Sequence, residues 1–392
     1  MNEDRLVSEF TDAFIDALDV LNLRGNLLFG DPGSYAEFRM PPNPSVIAGA
    51  LRSSLLVAKG IDPAQFARGE VSDPLIGSPT VPGEFTLCEA QPALISAQGD
   101  VEPLFGLPAD LFVGREGTRE IPEPLVPVEL PLVLKGSNPL PLVPALPQDA
   151  AKKPSKSLRL RAVAWQLYLD AHLDRLAGAP LEQCLVDERD LWANELRVGI
   201  GLDPLTGRAD DGKLFSGESV VMARNVGLAV RIAGPSLGFQ IIRLGGDGRG
   251  ARVRPAEVRW PETDYNAIAE TGRARLILTS PGIFSSGWLP TGASAPNSTS
   301  GANFELGGVR GRIVCAAVPK SQVISGFDLA RWQPKPAQRS AASGSVYWID
   351  DLCATPEQLR KLAERGLWDQ SGYSDSRRAE GYNRFAWGSW NA

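Results

Sequence analysis

The stretch that most limits what this chain can become runs from Gly238 to Trp260, GFQIIRLGGDGRGARVRPAEVRW. Phe239 to Leu244 is an apolar run that reads as a strand, and alternation resumes at Arg252-Val253-Arg254. Between them lies Gly245-Gly246-Asp247-Gly248-Arg249-Gly250. Glycines allow positive φ and close approach by another molecule, and Arg249, Arg252 and Arg254 carry planar, permanently charged forks suited to phosphate. Such residues supply binding, not bond-breaking chemistry.

Two familiar patterns overlap this stretch and fail on context. Gly246 to Ala251 fits the dinucleotide fingerprint G-x-G-x-x-G/A, which must open a helix. Here Arg252-Val253-Arg254-Pro255 follows, which predicts a strand. Gly234-Pro235-Ser236-Leu237-Gly238 spells G-x-S-x-G, but a nucleophile elbow also needs a following helix and a later His. The sole His, His172, comes earlier, and Gly234 to Gly238 reads as a hairpin turn.

A length of 392 residues suggests two domains or one with large insertions. No secretory leader and no run of 18 or more apolar residues is evident, so a cytoplasmic protein with no membrane partner is expected. Cys88, Cys184, Cys315 and Cys353 are widely spaced without C-x-x-C, which predicts free, mostly buried thiols and neither a metal site nor a cofactor. The net charge of −6 would argue against a nucleic-acid partner, but it is unevenly spread. Ile61 to Val133 holds twelve acids and three bases, whereas Arg231 to Arg275 holds five acids and eight arginines. That basic excess beside the glycines is a weak footprint for a polyanion.

Along the chain, Arg5 to Asn26 is an extended candidate. Pro44 to Lys59 reads as a helix with Asn43 as cap and Gly60 as stop. Ile47, Leu51 and Leu55 form its apolar stripe, and Ser45, Arg52 and Lys59 share another face that could grip phosphates. Glu84 to Ile95 and Asp110 to Arg115 read as strands. The proline-rich part, about 118–157, reads as an extended insertion without central strands. Leu158 to Ala177 reads as one helix carrying His172, and residues 196–224 as a protruding hairpin including Arg197 and Lys213. Pro290 to Ala302 reads as a mobile loop, and Val309 to Val318 and Ser345 to Ile349 as strands. Thr355-Pro356-Glu357-Gln358 is a capping box. Gly381-Tyr382 echoes the first glycine block, which suggests two copies of a βαββαβ unit with final glycine loops.

The ordered segments PPNPSVIAGALRSSLL (from Pro41), ELRVGIGLDPLTGRADDGKLFSGESV (from Glu195), LGGDGRGARV (from Leu244), RLILTSPGIFSSGWLPT (from Arg275) and GSVYWI (from Gly344) resemble the RAMP proteins of CRISPR systems. The particular likeness is to subunit three of the type III-B Cmr effector complex. The resemblance implies an α+β chain of two tandem ferredoxin-like, RRM-related RAMP domains, over 1–262 and 263–392. It implies a non-catalytic subunit that grips the 5′ handle of the crRNA and docks the large polymerase/cyclase-like subunit and a backbone RAMP subunit. By match, Gly245, Gly246, Gly248, Arg249 and Gly250 would face RNA, with Ser45 and Arg52, and the hairpin from Arg197 to Phe215 as a further candidate. Arg252 and Lys213 complete the set expected at phosphates. Two other functions stay open: a crRNA-processing endoribonuclease, disfavoured by a single His, and a protein-only scaffold. Near the bases, Trp260, Trp288, Tyr382 and Trp387 are the aromatics available for stacking.

Overall fold

A computed structural model describes residues 10–23, 35–36, 40–116, 119–130, 138–146, 153–154, 157–178, 180–203, 206–328, 333–371 and 375–391. The chain divides into two units. The first comprises Met1–Val101, Glu188–Val258 and Ser325–Pro336, and the second Glu102–Asp187, Arg259–Ile324 and Ala337–Ala392. The architecture is α+β, as expected. The expected boundary at 262 falls close to the crossing at 258, but residues 102–187 cluster with the C-terminal part instead of the N-terminal domain.

In the first unit, β1 (Phe10–Ala17) is followed by α1 (Pro44–Ala58) and β2 (Thr86–Ile95). A hairpin of β3 (Trp192–Leu202) and β4 (Ala209–Met222) then leads to β5 (Val226–Ala233), β6 (Gln240–Arg243) and β7 (Gly250–Pro255). The sheet order is β2-β5-β1-β7-β6, every pair antiparallel. Strand alternation sends Ala13 and Ile15 of β1, Val230 of β5 and Ala251 and Val253 of β7 to one face, where Ile47, Leu51 and Leu55 of α1 cover them. Each such large side chain contributes about 1.5–3 kcal/mol by leaving water.

Two expectations change here. Gly234 to Gly238 do not form a hairpin turn, because β5 pairs with β1 while β6 pairs with β7, so this segment connects strands separated in the sheet by β1 and β7. The Asn43 side chain makes no capping bond to α1; Pro44 with its preset φ begins the helix, and Gly60 at φ 72° ends it.

In the second unit, α2 (Tyr265–Thr271) precedes β8 (Ala274–Leu278). Then come β9 (Ala302–Leu306), β10 (Val309–Ala317), β11 (Val346–Cys353), α3 (Pro356–Arg365) and β12 (Phe385–Ser389). The order is β9-β10-β11-β8-β12, again antiparallel. The capping box forms as read: Thr355 accepts from Gln358 N, and Gln358 Oε1 accepts from Thr355 N. The expected helix between the first two strands is absent among the described residues; α2 packs beside α3 from in front of β8. In the first unit α1 stands in the first helix's place, followed by a one-turn helix Pro63–Ala67, and among the described residues β6 and a loop occupy the second helix's place in the chain. Within Pro290 to Ala302 a turn forms, with Asn297 Oδ1 accepting from Thr299 N and Gly301 N donating to Asn297 O.

Residues 102–187 belong to the second unit for a visible reason. Phe105, Leu158, Leu160, Trp165 and Tyr168 pack with Ile277, Val314, Val346 and Trp348, the residues on the face of the β8–β10–β11 sheet turned away from α3. The second unit's sheet is thus buried on both faces. The single helix expected over Leu158 to Ala177 is instead a strand, Leu158–Arg161, and two helices, Ala162–Leu169 and Leu173–Gly178. Ala171 at φ 57° makes the break, and exposed His172 immediately precedes the second piece. Prolines keep segments such as Val126–Glu129 and Leu142–Ala145 in a two-stranded ribbon outside the main sheet. No described helix is long and apolar enough to cross a membrane.

Candidate nucleic-acid interface

The glycine block is the tip of the β6–β7 hairpin, and a strand follows it directly. Gly245, at φ 82°, lies against the backbone of Asn22: a Cβ there would stand 2.6 Å from the Asn22 carbonyl oxygen. Gly246 N donates to that same oxygen at 2.8 Å. Asn22 Nδ2 donates to Asp247 at 2.5 Å, and Ser219 donates to Asn22 Oδ1 at 2.8 Å. Asn22, only 6% exposed, thus ties the glycine loop to β4, and no spacing in the sequence singled it out. Gly245 serves this internal docking, whereas Gly248, at φ 65° with nothing near its Cβ position, faces open space.

The arginines divide into two groups. Arg249 pairs with Asp19 at 3.0 Å, Arg254 contacts Asp16 at 3.5 Å, and Arg231 forks onto Asp12 at 2.8 and 3.0 Å. Acids of β1 and the turn after it therefore offset charge that a count along the chain assigns to the basic stretch. Arg243 and Arg252 are exposed. Arg252 stands across from Asp16 on one side and Ile241 on the other, on the face opposite α1. Beside them Ile241 is 71% and Phe239 77% exposed, two apolar side chains the sequence pattern read only as strand. An exposed aromatic next to guanidinium groups is the combination that holds single-stranded nucleic acid, by stacking and phosphate contact.

The remaining sequence-predicted residues lie elsewhere. Ser45 and Arg52 belong to α1, which covers the opposite face, so they do not join the hairpin surface. Arg52 Nη2 donates to the Ile76 carbonyl at 3.0 Å and Lys59 pairs with Asp73 at 2.7 Å, so that helix face holds the loop after it. Arg197 is exposed on β3 within 3.4 Å of Glu195. The Lys213 side chain lies outside the described residues. Of the aromatics, Tyr382 and Trp387 are fully buried, Trp260 is half-buried edge-on to Phe105, and Trp288 is half-buried. The second glycine loop is sealed: Asn383 is buried and its side chain bonds the Ile283 backbone.

Asp73 gives a pH signature to the α1 side. Burial opposes its ionisation, but Lys59 and the Ile76 and Leu75 amides outweigh that, holding the carboxyl below its ordinary value. A depressed folded pKa stabilises fully above the unfolded value of about 3.9 and is lost as pH falls through the folded one. Asp73→Asn should cost on the order of 1–3 kcal/mol at neutral pH and much less at acid pH, read by urea unfolding from pH 7 down to 3. A pH-independent difference would contradict this role.

A family model described as CRISPR-associated protein (Cas_Cmr3) matches residues 13–390. No curated protein matches the chain. Among solved structures, the chain is similar to one from the type III-B Cmr-beta complex bound to cognate target RNA, at 15% identity and TM-score 0.45, covering 95% of each chain. It is also similar to one from that complex with target RNA and AMPPnP, at 14% identity and TM-score 0.45, covering 95% of this chain and 94% of the other. The match over 13–390 spans both units and takes in the glycine hairpin, so the chain belongs to the Cas_Cmr3 family of CRISPR-associated proteins.

Proposed function

We propose that this chain is a non-catalytic, RNA-gripping subunit of a type III-B Cmr effector complex, holding the 5′ handle of the crRNA. Each unit is read as a RAMP domain of ferredoxin-like type, because β1, β2, β5 and β7 of the first, and β8, β10, β11 and β12 of the second, numbered along the chain, stand in the antiparallel order 2-3-1-4, with the β3–β4 hairpin, β6 and β9 as additions. In the second unit the insertion fills the sheet face that such domains offer to RNA; in the first, among the described residues, the β7–β6 edge of that face is exposed. The observation that carries the proposal is the exposure of Arg252 and Arg243 beside Phe239 and Ile241 on that face, on the two strands that flank the glycine tip. The large polymerase/cyclase-like subunit and the backbone RAMP subunit are the protein partners this reading implies.

The purified full chain should bind labelled crRNA in a salt-dependent manner and leave it intact. Cleavage abolished by His172→Ala would replace this reading with the processing nuclease. Absence of any RNA binding, with retained binding to the large subunit, would leave the scaffold.

A further inference from the structure

On the same open face, a cavity of about 350 Å³ opens beside β1. Leu18, Ile95, Val226 and the Phe14 ring give it an apolar part, and Asp16, Asp19, Arg224, Asn225 and Arg254 give it a larger polar and charged part. The volume is at the small end of pockets that hold a ligand, and an apolar ring face beside charged and amide groups suits a flat heterocycle with hydrogen-bonding edges. Arg254 lies over the Phe14 ring at 5.3 Å, which fixes the guanidinium against the floor. Asp16 Oδ1, though 3.5 Å from Arg254 Nη2, is buried and accepts no hydrogen bond. The neighbouring Asp19 is already engaged by Arg249. Asp16 is thus an acceptor with spare capacity at the cavity's edge.

We propose that this cavity takes one splayed nucleobase of the bound RNA, and that Asp16 selects guanine. The proposal rests on the RNA-gripping reading. Asp16 stands directly across from exposed Arg252, so a phosphate held by Arg252 places an adjoining base at the cavity mouth. Guanine presents two adjacent donors, the N1 and N2 hydrogens, to a carboxylate; adenine, cytosine and uracil present no such pair. Arg254 faces the same edge and disfavours a second cation, which speaks for a neutral base over a lysine or arginine of a protein partner.

The test uses nonamer oligouridines carrying one central guanosine, inosine or adenosine, bound to the full chain and followed by fluorescence anisotropy. The guanosine oligomer should bind about tenfold more tightly than the inosine one, which lacks only the N2 amino group. In Asp16→Asn that ratio should fall to near one; being internal to each protein, it is insensitive to a partial loss of folded material. If all three RNAs bind the natural chain equally, or the ratio survives in Asp16→Asn, the guanine pocket is wrong while RNA gripping stands. If no RNA binds, the gripping reading itself falls and takes the pocket with it.

Discussion

Arg275→Ala should destabilise the second unit by about 3–5 kcal/mol, the largest loss expected from any single substitution discussed for this chain. Arg275 sits in the stretch that looks basic in sequence, yet its side chain is only 4% exposed and its partner Asp110 only 2%. Its Nη1 donates to Asp110 at 3.1 Å, Nε to the Ser389 carbonyl at 3.0 Å and Nη2 to the Tyr168 carbonyl, with the guanidinium 4.2 Å above the Tyr168 ring. Tyr168 in turn donates to Asp110 at 2.5 Å. Burial pushes the Asp110 carboxyl up, against the pull of Arg275. Removing the guanidinium leaves that pull absent, so Asp110 must either stay charged with only the neutral Tyr168 hydroxyl as side-chain partner or take up a proton. Both cost free energy at neutral pH. Asp110→Leu combined with Arg275→Met, which removes both charges at similar volume, should recover much of the loss. Denaturant unfolding of Asp110→Leu, Arg275→Met and the pair forms the cycle; an Arg275→Ala loss below about 1 kcal/mol would show that the network is not held as described.

The same residue shows where sequence reading stops. Alternation in Arg273 to Thr279 is enough to predict β8, but whether an arginine on a strand faces water depends on what covers that face. Here the cover is residues 102–187, more than a hundred positions away from much of what they pack on. Their prolines announced an insertion without announcing its destination. Local signals fared better: the capping box at Thr355, the Pro44 start and Gly60 stop of α1, the β3–β4 hairpin and the strand after the glycine block all follow from chemistry within a few residues. The helix broken at Ala171 was not legible, because nothing short-range forbids helix there. The candidate site was half legible. Glycine and arginine marked the hairpin, but its fastening to Asn22 and the pairing of Arg231 and Arg254 with acids of β1 join residues more than 200 positions apart. The apolar run from Phe239 could not reveal that β6 lies at the sheet's edge, where one side of an apolar strand stays exposed.

That division of the arginines leads to the second large effect, on RNA affinity. Arg243 and Arg252 are exposed, so each can meet a phosphate without first giving up an acid. On single-stranded RNA each phosphate contact contributes about 0.7 to the slope of log affinity against log salt. Arg243→Ala with Arg252→Ala should therefore flatten that slope by about 1.4 and weaken binding by roughly 10- to 100-fold near 0.1 M salt. Arg249 is different. Its partner Asp19 has a side chain 63% exposed, and such a surface pair is worth only about 0–1 kcal/mol, so a phosphate can displace the carboxylate at small cost. Asp19→Asn should then act in the opposite direction, tightening RNA binding severalfold and steepening the slope, because Arg249 no longer has a competing anion. Arg249→Ala in the Asp19→Asn background should remove that gain. Opposite signs from two substitutions on one hairpin distinguish a phosphate-binding surface from a general loss of folding, which could only weaken binding. A slope unchanged by Arg243→Ala and Arg252→Ala, measured across 50 to 300 mM salt (roughly the range over which counterion release dominates), would place the RNA on some other face of the chain.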